Sequence, residues 1–181
     1  MTIIIKNKET LIYKEFIFKC CIGKNGTTNN KIEGDYKTPK GLFSLGNVYY
    51  RKDRNLKPIT KLNCISINKK MGWCNDVSNK KYNKLIKINK NLKHEKMFRN
   101  DYKYDYVIPV NYNSKNIKTG KGSAIFIHLT KNYKPTDGCI ALKKKLNLEE
   151  LSMGMSSDYL DAIKYNSTFV RIGLSIFGPR T

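Results

Sequence analysis

Two short apolar runs, Ala124 to Thr130 and Ile140 to Leu142, stand on either side of a polar loop, Lys131 to Gly138, that is broken by Pro135 and Gly138. The first run is β-branched and aromatic enough to be a strand. Side chains alternate along a strand, so Ala124, Phe126, His128 and Thr130 share one face, and Ile125, Ile127 and Leu129 share the other. The sequence therefore predicts a hairpin-like strand, loop and strand that brings His128 close to Cys139, the residue that opens the second run.

A thiol beside an imidazole is the smallest set of groups that supports acyl transfer through sulfur. A free thiol with a pKa near ~8.5 is mostly protonated at neutral pH. An adjacent imidazole can take that proton and return it to a leaving amine. Gly138 suits the position before a nucleophile, because it lets a substrate approach the backbone and tolerates positive φ. The N–H groups of Gly138 and Cys139 are candidate oxyanion donors. The same residues also fit a plainer arrangement, with Cys139 as a small core side chain and His128 as a half-buried, satisfied ring.

Longer motifs separate the two. Phe126-Ile-His128 followed by Pro135-Thr-Asp-Gly-Cys-Ile-Ala-Leu142 resembles the signature of L,D-transpeptidase catalytic domains, which carry a His, a short loop and then Ser/Thr-x-Gly-Cys. Glu33-Gly-Asp-Tyr-Lys-Thr-Pro-Lys-Gly-Leu-Phe43 resembles that family's Gly-Asp-x-x-Thr-Pro-x-Gly-x-Phe element. Gly72-Trp-Cys-Asn-Asp76, Tyr82-Asn83 and Tyr104-Asp105 are similar, in order and spacing, to one branch of it. The resemblance runs over roughly residues 20 to 175. Two positions depart from the commoner pattern: Asp137 stands where many members have His, and Ala141 where many have Arg or Asn.

The resemblance implies an enzyme of bacterial cell-wall biogenesis and cell shape. Cys139 would be the nucleophile, His128 the proton donor and acceptor, and the backbone at Gly138 part of the oxyanion hole. Trp73, Tyr82, Asn83 and Thr136 stand as substrate-binding candidates, although a lone Trp is more often a core residue. The implied substrates are peptidoglycan stem tetrapeptides, with an amine as acceptor and no cofactor. Water as acceptor would make the same fold an L,D-carboxypeptidase. Either Asp137 or a backbone carbonyl would orient His128.

The 181 residues suffice for one domain with a sizeable core. The expected architecture is a single domain over 1–181, mainly β with a few short helices, an L,D-transpeptidase-like sandwich or barrel over about 2–176. Strands are expected at Thr2 to Ile5, Thr10 to Ile22 with a break near Lys14-Glu15, Leu42 to Arg51, Cys64 to Ile67, Tyr104 to Asn111 and Ser167 to Ile176. Pro109 marks the fifth of these as an edge or a bulge. Gly72 to Asp76 reads as a loop. Short helices are expected at Leu92 to Phe98, with His94 on it, at Leu148 to Met153, where Asn147 and Glu150 form start signals, and at Asp158 to Tyr165.

The net charge of +21 suits polyanions, but no Lys/Arg block exceeds Lys143 to Lys145, and the lysines are spread along a chain rich in Asn and Ile. Compositional bias explains this better than a dedicated nucleic-acid site, which clustering would mark. A non-catalytic basic module that binds nucleic acid or anionic wall polymer is the reading of another class, and it predicts steep salt dependence. The five cysteines leave one thiol odd, and they lack Cys-x-x-Cys or zinc-ligand spacing, so no metal is implied. No run approaches the ~18 apolar residues of a membrane span. The apolar start Ile3 to Ile5 is too short for the core of a secretory signal, whereas the resemblance implies the cell envelope or periplasm.

Overall fold

In the computed structural model, residues 2–144 and Leu160 are described. Chain contacts divide the protein into two compact units, Met1–Lys144 and Lys145–Thr181. The first unit is built of strands: β1 (Ile3–Ile5), β2 (Thr10–Tyr13), β3 (Phe16–Cys21), β4 (Thr27–Thr28), β5 (Thr38–Pro39), β6 (Val48–Tyr50) and β7 (Cys64–Ser66). These are followed by β8 (Met71–Cys74), β9 (Leu85–Lys87), β10 (His94–Lys96), β11 (Tyr106–Pro109), β12 (Phe126–Thr130) and β13 (Ile140–Lys143).

Eight strands form one sheet in the order β1-β2-β3-β13-β12-β11-β6-β7. Three more form a small antiparallel sheet with β8 in the middle, and β4 pairs with β5. The mainly β expectation holds, and the described sheets are open rather than closed into a barrel. A register row crosses the large sheet through Cys21, Ala141, His128, Val107, Tyr49 and Ile65, so these six side chains share one face. Tyr49, Val107 and Phe126 on that face build one core with Met97 and Tyr104, and Met71, Trp73 and Leu85 of the small sheet pack onto it. Leu11, Cys20 and Ile140 build a second core on the opposite face, joined by Ile127 and Leu142.

β12 pairs with β13 in parallel, Ile127 opposite Ile140 and His128 opposite Ala141. The expected hairpin is therefore a return crossover: the loop after Thr130 doubles back along β12 before β13 begins. The alternation predicted for this run is present, with Phe126 in one core and Ile127 against the other. Ala124 precedes the strand and takes a left-handed φ of 51°.

Several expected elements differ. Gly72 to Asp76 is not a loop, because Met71–Cys74 is the central strand of the small sheet. Its glycine fits there because the His94 ring packs where a side chain would stand; a Cβ on Gly72 would meet His94 Cδ2 at 2.9 Å. The expected helix around His94 is instead β10, drawn into the sheet by pairing with β8. Of the stretch from Leu42 to Arg51 only Val48–Tyr50 is strand, and Leu42 is exposed with nothing to pack on. Pro109 lies in an interior strand, but pairing with β6 stops at Val107, so its missing N–H falls beyond that ladder. The break at Lys14, where φ is 53°, separates β2 from β3. The expected elements at 148–153, 158–165 and 167–176 lie outside the described residues, apart from Leu160, which is helical.

Candidate active site

Cys139 and His128 both line one cavity of about 670 Å³. His128 reaches it from β12, and Cys139 from the residue just before the neighbouring β13. His128 lies opposite Ala141, two residues after Cys139, so the two side chains are diagonal neighbours on one face. Phe126 N–H donates to Cys139 Sγ at 3.3 Å, and the thiol donates to Ala124 O at 3.2 Å.

The Cys139 thiol is pushed up to about 12, chiefly by burial and with help from Glu95 and Asp137, while the Phe126 amide and Lys31 act against the rise. Burial also holds His128 below its usual value of 6.5, against the opposing pull of the Leu129 carbonyl, and Lys103 and Arg99 add to the depression. The resting pair at neutral pH is thus a neutral thiol and a neutral imidazole.

His128 Nδ1 lies 2.8 Å from the Leu129 carbonyl, an acceptor only, so the proton sits on Nδ1 and Nε2 keeps its lone pair. Tyr104, almost wholly buried, stands edge-on to the imidazole with ring centroids 5.5 Å apart. Of the two orienters open from sequence, the backbone carbonyl is the one in contact; Asp137 is exposed on the loop.

The loop that carries Cys139 is fixed by its own hydroxyl and by a distant element. Thr136 Oγ1 donates to Cys139 O at 2.6 Å and accepts from Gly138 N–H at 3.2 Å. The Gly138 amide, expected as an oxyanion donor, is therefore occupied. The Cys139 N–H has no acceptor among the described residues. Gly138 has a φ of 136°, and a Cβ there would meet Lys37 O at 3.0 Å, so both conformation and space demand glycine.

The Gly34-to-Gly41 element is what presses on this loop. Thr38 Oγ1 donates to Gly138 O and accepts from Gly23 N–H, both at 2.9 Å. Asp35 organises the preceding turn, accepting from the amides of Ile32 and Lys37 and from buried Lys31. Burial alone would raise the Asp35 carboxyl, but those donors outweigh it and hold it below the usual carboxylate range.

Trp73, Tyr82 and Asn83 do not line the cavity, whereas Thr136 does. The three stand behind its wall with their polar atoms occupied. Trp73 Nε1–H donates to Asn83 Oδ1 at 2.9 Å, and the Ala124 amide donates to the same oxygen at 3.0 Å. Asn83 Nδ2 donates to the carbonyls of Tyr112 and Asn113. Tyr82 is buried and donates to Glu33, a cavity residue. Trp73 packs edge-on to Phe126 at 5.2 Å. Asn83 thus holds Ala124, whose carbonyl holds the Cys139 thiol.

The far wall was not foreseen from sequence. Arg99 binds Asp101 through Nε and Nη2, meets Glu95 at 3.0 Å and lies over the Tyr104 ring at 5.1 Å. The available signal was arginine itself in a lysine-rich chain, since a planar guanidinium suits bidentate and ring-stacked sites. Arg51, stacked at 3.5 Å on Phe98 and paired with Asp53, follows the same rule. Behind it, buried Asp105 accepts ion pairs from Arg54 and Lys144.

Cys139, His128 and the loop braced by Thr38 thus converge on one cavity of an open β domain. The chain belongs to the L,D-transpeptidase catalytic domain (YkuD) family, whose model matches residues 1–151. Three short stretches of similarity to curated proteins also occur, each to a "Pyridoxal phosphate homeostasis protein". The one from Schizosaccharomyces pombe is 74% identical over 31 residues, 17% of this chain and 13% of that protein. The one from Homo sapiens is 56% identical over 43 residues, 22% and 16% respectively. The one from Synechocystis is 50% identical over 38 residues, 21% and 17%. The chain spans less than a fifth of the length of each. No solved structure matches.

Proposed function

We propose that this protein is an L,D-transpeptidase that acylates Cys139 with a peptidoglycan stem tetrapeptide and passes the acyl group to an amine. The observation that carries the proposal is the placement of Cys139 Sγ and the unprotonated Nε2 of His128 on one sheet face above a shared cavity. His128 takes the thiol proton as sulfur attacks the carbonyl of the L,D bond, and returns it to the leaving D-amino acid. The free Cys139 amide is the donor placed to meet the developing oxyanion, a contact whose loss typically costs ~10²–10³ in rate. Gly138 serves by its backbone conformation, and Thr136 by holding the loop that carries the amide.

Trp73, Tyr82 and Asn83 act in this reading as positioning residues rather than substrate contacts. In this reading the protein works where peptidoglycan is, in the cell envelope; among the described residues no helix is long and apolar enough to cross a membrane.

The test is intact mass after mixing with a stem tetrapeptide, for the wild type and Cys139→Ala. An adduct of the tripeptide acyl group on the wild type alone supports the proposal. An adduct that persists in Cys139→Ala, or none on a folded wild type, overturns it. Added free amine then yields a ligated product if the acceptor is an amine, and only hydrolysis if the enzyme is a carboxypeptidase.

A further inference from the structure

The cavity is lopsided in charge. Among the described residues its lining includes six basic side chains, Lys31, Lys93, Arg99, Lys103, Lys131 and Lys134, against three acidic ones, Glu33, Glu95 and Asp137. Their positions differ in chemical meaning. Lys31 is spent on Asp35. Arg99 is compensated by Asp101 and Glu95. Lys103 is exposed, lines the cavity and makes no side-chain hydrogen bond or ion pair among the described residues, with the Asp101 carboxylate near it accepting its backbone N–H at 3.1 Å.

Lys103 is also anchored beside the imidazole. Its carbonyl accepts the Leu129 N–H at 2.9 Å, one residue from His128, and Leu129 O holds His128 Nδ1. Arg99 completes the same wall through Tyr104, whose ring it covers and whose edge meets the imidazole. Lys103 and Arg99 are the two cations that weigh on His128.

From this geometry we infer that Lys103, with Arg99 behind it, is the subsite for the free α-carboxylate of the amino acid released in the acylation step. The inference rests on the thioester reading above and adds to it a rule for donor selection. In that step the S–C bond forms, the C–N bond breaks, and the thiol proton reaches the leaving nitrogen through His128. In an α-amino acid leaving group the carboxylate hangs on the carbon that bears that nitrogen, so standard bond lengths put it within ~4 Å of the nitrogen. The carboxylate therefore follows His128, and Lys103 is the cavity cation beside it whose ammonium makes no ion pair among the described residues. A charged hydrogen bond of this kind is lost when the carboxylate is capped.

The experiment measures acylation rates by intact mass for two donors, a stem tetrapeptide with a free C-terminal carboxylate and the same peptide as C-terminal amide. The wild type is expected to prefer the free acid by about ten- to a hundredfold in kcat/KM. Lys103→Gln is expected to lose that preference by slowing only on the acid, and Lys103→Arg to keep most of it, with unchanged thermal midpoints. Equal rates on the two donors in the wild type overturn the inference while leaving the nucleophile intact. An equal slowing on both donors in Lys103→Gln overturns it as well, since it marks a structural role. No adduct from either donor removes the thioester reading itself, and this inference with it.

Discussion

The hydroxyl of Thr38 donates to the carbonyl of Gly138 at 2.9 Å, joining two residues a hundred positions apart, and the same oxygen accepts the Gly23 amide. One side chain thereby ties the ends of three segments together at the residue before Cys139. Its own burial leaves no water to take its place.

Replacing that hydroxyl tests the brace. Thr38→Val strands a buried carbonyl and a buried amide, and is expected to cost ~1–3 kcal/mol in urea unfolding. It should lower kcat more than it raises KM, because the loop and not the binding wall moves. Thr38→Ser keeps the oxygen and should recover most of both.

The pH dependence follows from the directions at the site. The proposed reaction requires the base form of His128, and burial holds its titration below 6.5, so kcat/KM should fall only on the acid side, with a midpoint below that value. The thiol is raised to about 12, so no alkaline limb should appear between pH 7 and 9. A bell-shaped profile in that range would indicate a resting thiolate–imidazolium pair instead. Iodoacetamide labelling of Cys139 in the free enzyme should likewise accelerate steadily with pH, without a plateau near neutrality.

Glu95→Gln should bring the labelling profile of Cys139 toward lower pH, because Glu95 is one of the charges that raises the thiol. The rate of labelling at a fixed pH near 9, compared between the two proteins, reads this directly. An unchanged or slower rate would show that loosening Arg99, its partner at 3.0 Å, matters more than the charge.

Asn83→Ala should be the most destabilising of the substitutions behind the wall. It strands the Trp73 Nε1–H and the Ala124 N–H, each a loss of ~1–3 kcal/mol when buried. A thermal midpoint lowered by several degrees, together with slower acylation, is expected; intact stability with changed KM would return Asn83 to direct substrate contact.

The orienter of His128 is separable by two variants. His128→Ala should depress acylation by ~10²–10⁴, the usual worth of a positioned base. Asp137→Ala should change it by less than about threefold, since the Leu129 carbonyl holds Nδ1. A loss in Asp137→Ala as large as in His128→Ala would transfer the role to the carboxylate.

What sequence made legible was local. The alternation from Phe126 to Thr130, the breakers at Pro135 and Gly138, and the turn at Lys14 all follow from side-chain and backbone rules that act within a few residues. The pairing direction of β12 and β13 was not legible, since nothing in an eight-residue polar loop states whether it reverses the chain or returns it. The strand at Met71–Cys74 was hidden for a similar reason: Gly72 reads as a breaker until the His94 ring that covers it is in place. His94 itself looked helical because its apolar neighbours Leu92 and Met97 say nothing of a partner strand. At the site, the motif pointed to Cys139 and His128, which the fold brings to one cavity, but the positions of Trp73 and Asn83 depend on which side of Ala124 they stand, and Lys103 depends on a backbone bond to Leu129. The expected last strand falls outside both the described residues and the family match.

The parallel crossover between β12 and β13 also sets where this domain tolerates length change. Between Lys131 and Pro135 an inserted residue lies in a surface loop and leaves the pairing untouched. Inserted inside Phe126–Thr130 or Ile140–Lys143, the same residue slips the ladder by one, and each slip turns a side chain to the opposite face of the sheet. The imidazole and the thiol would then look into different cores. Drift in loop length is expected on one side of that boundary and strict conservation of count on the other, a footprint that sequences of relatives would carry even where the residues themselves have changed.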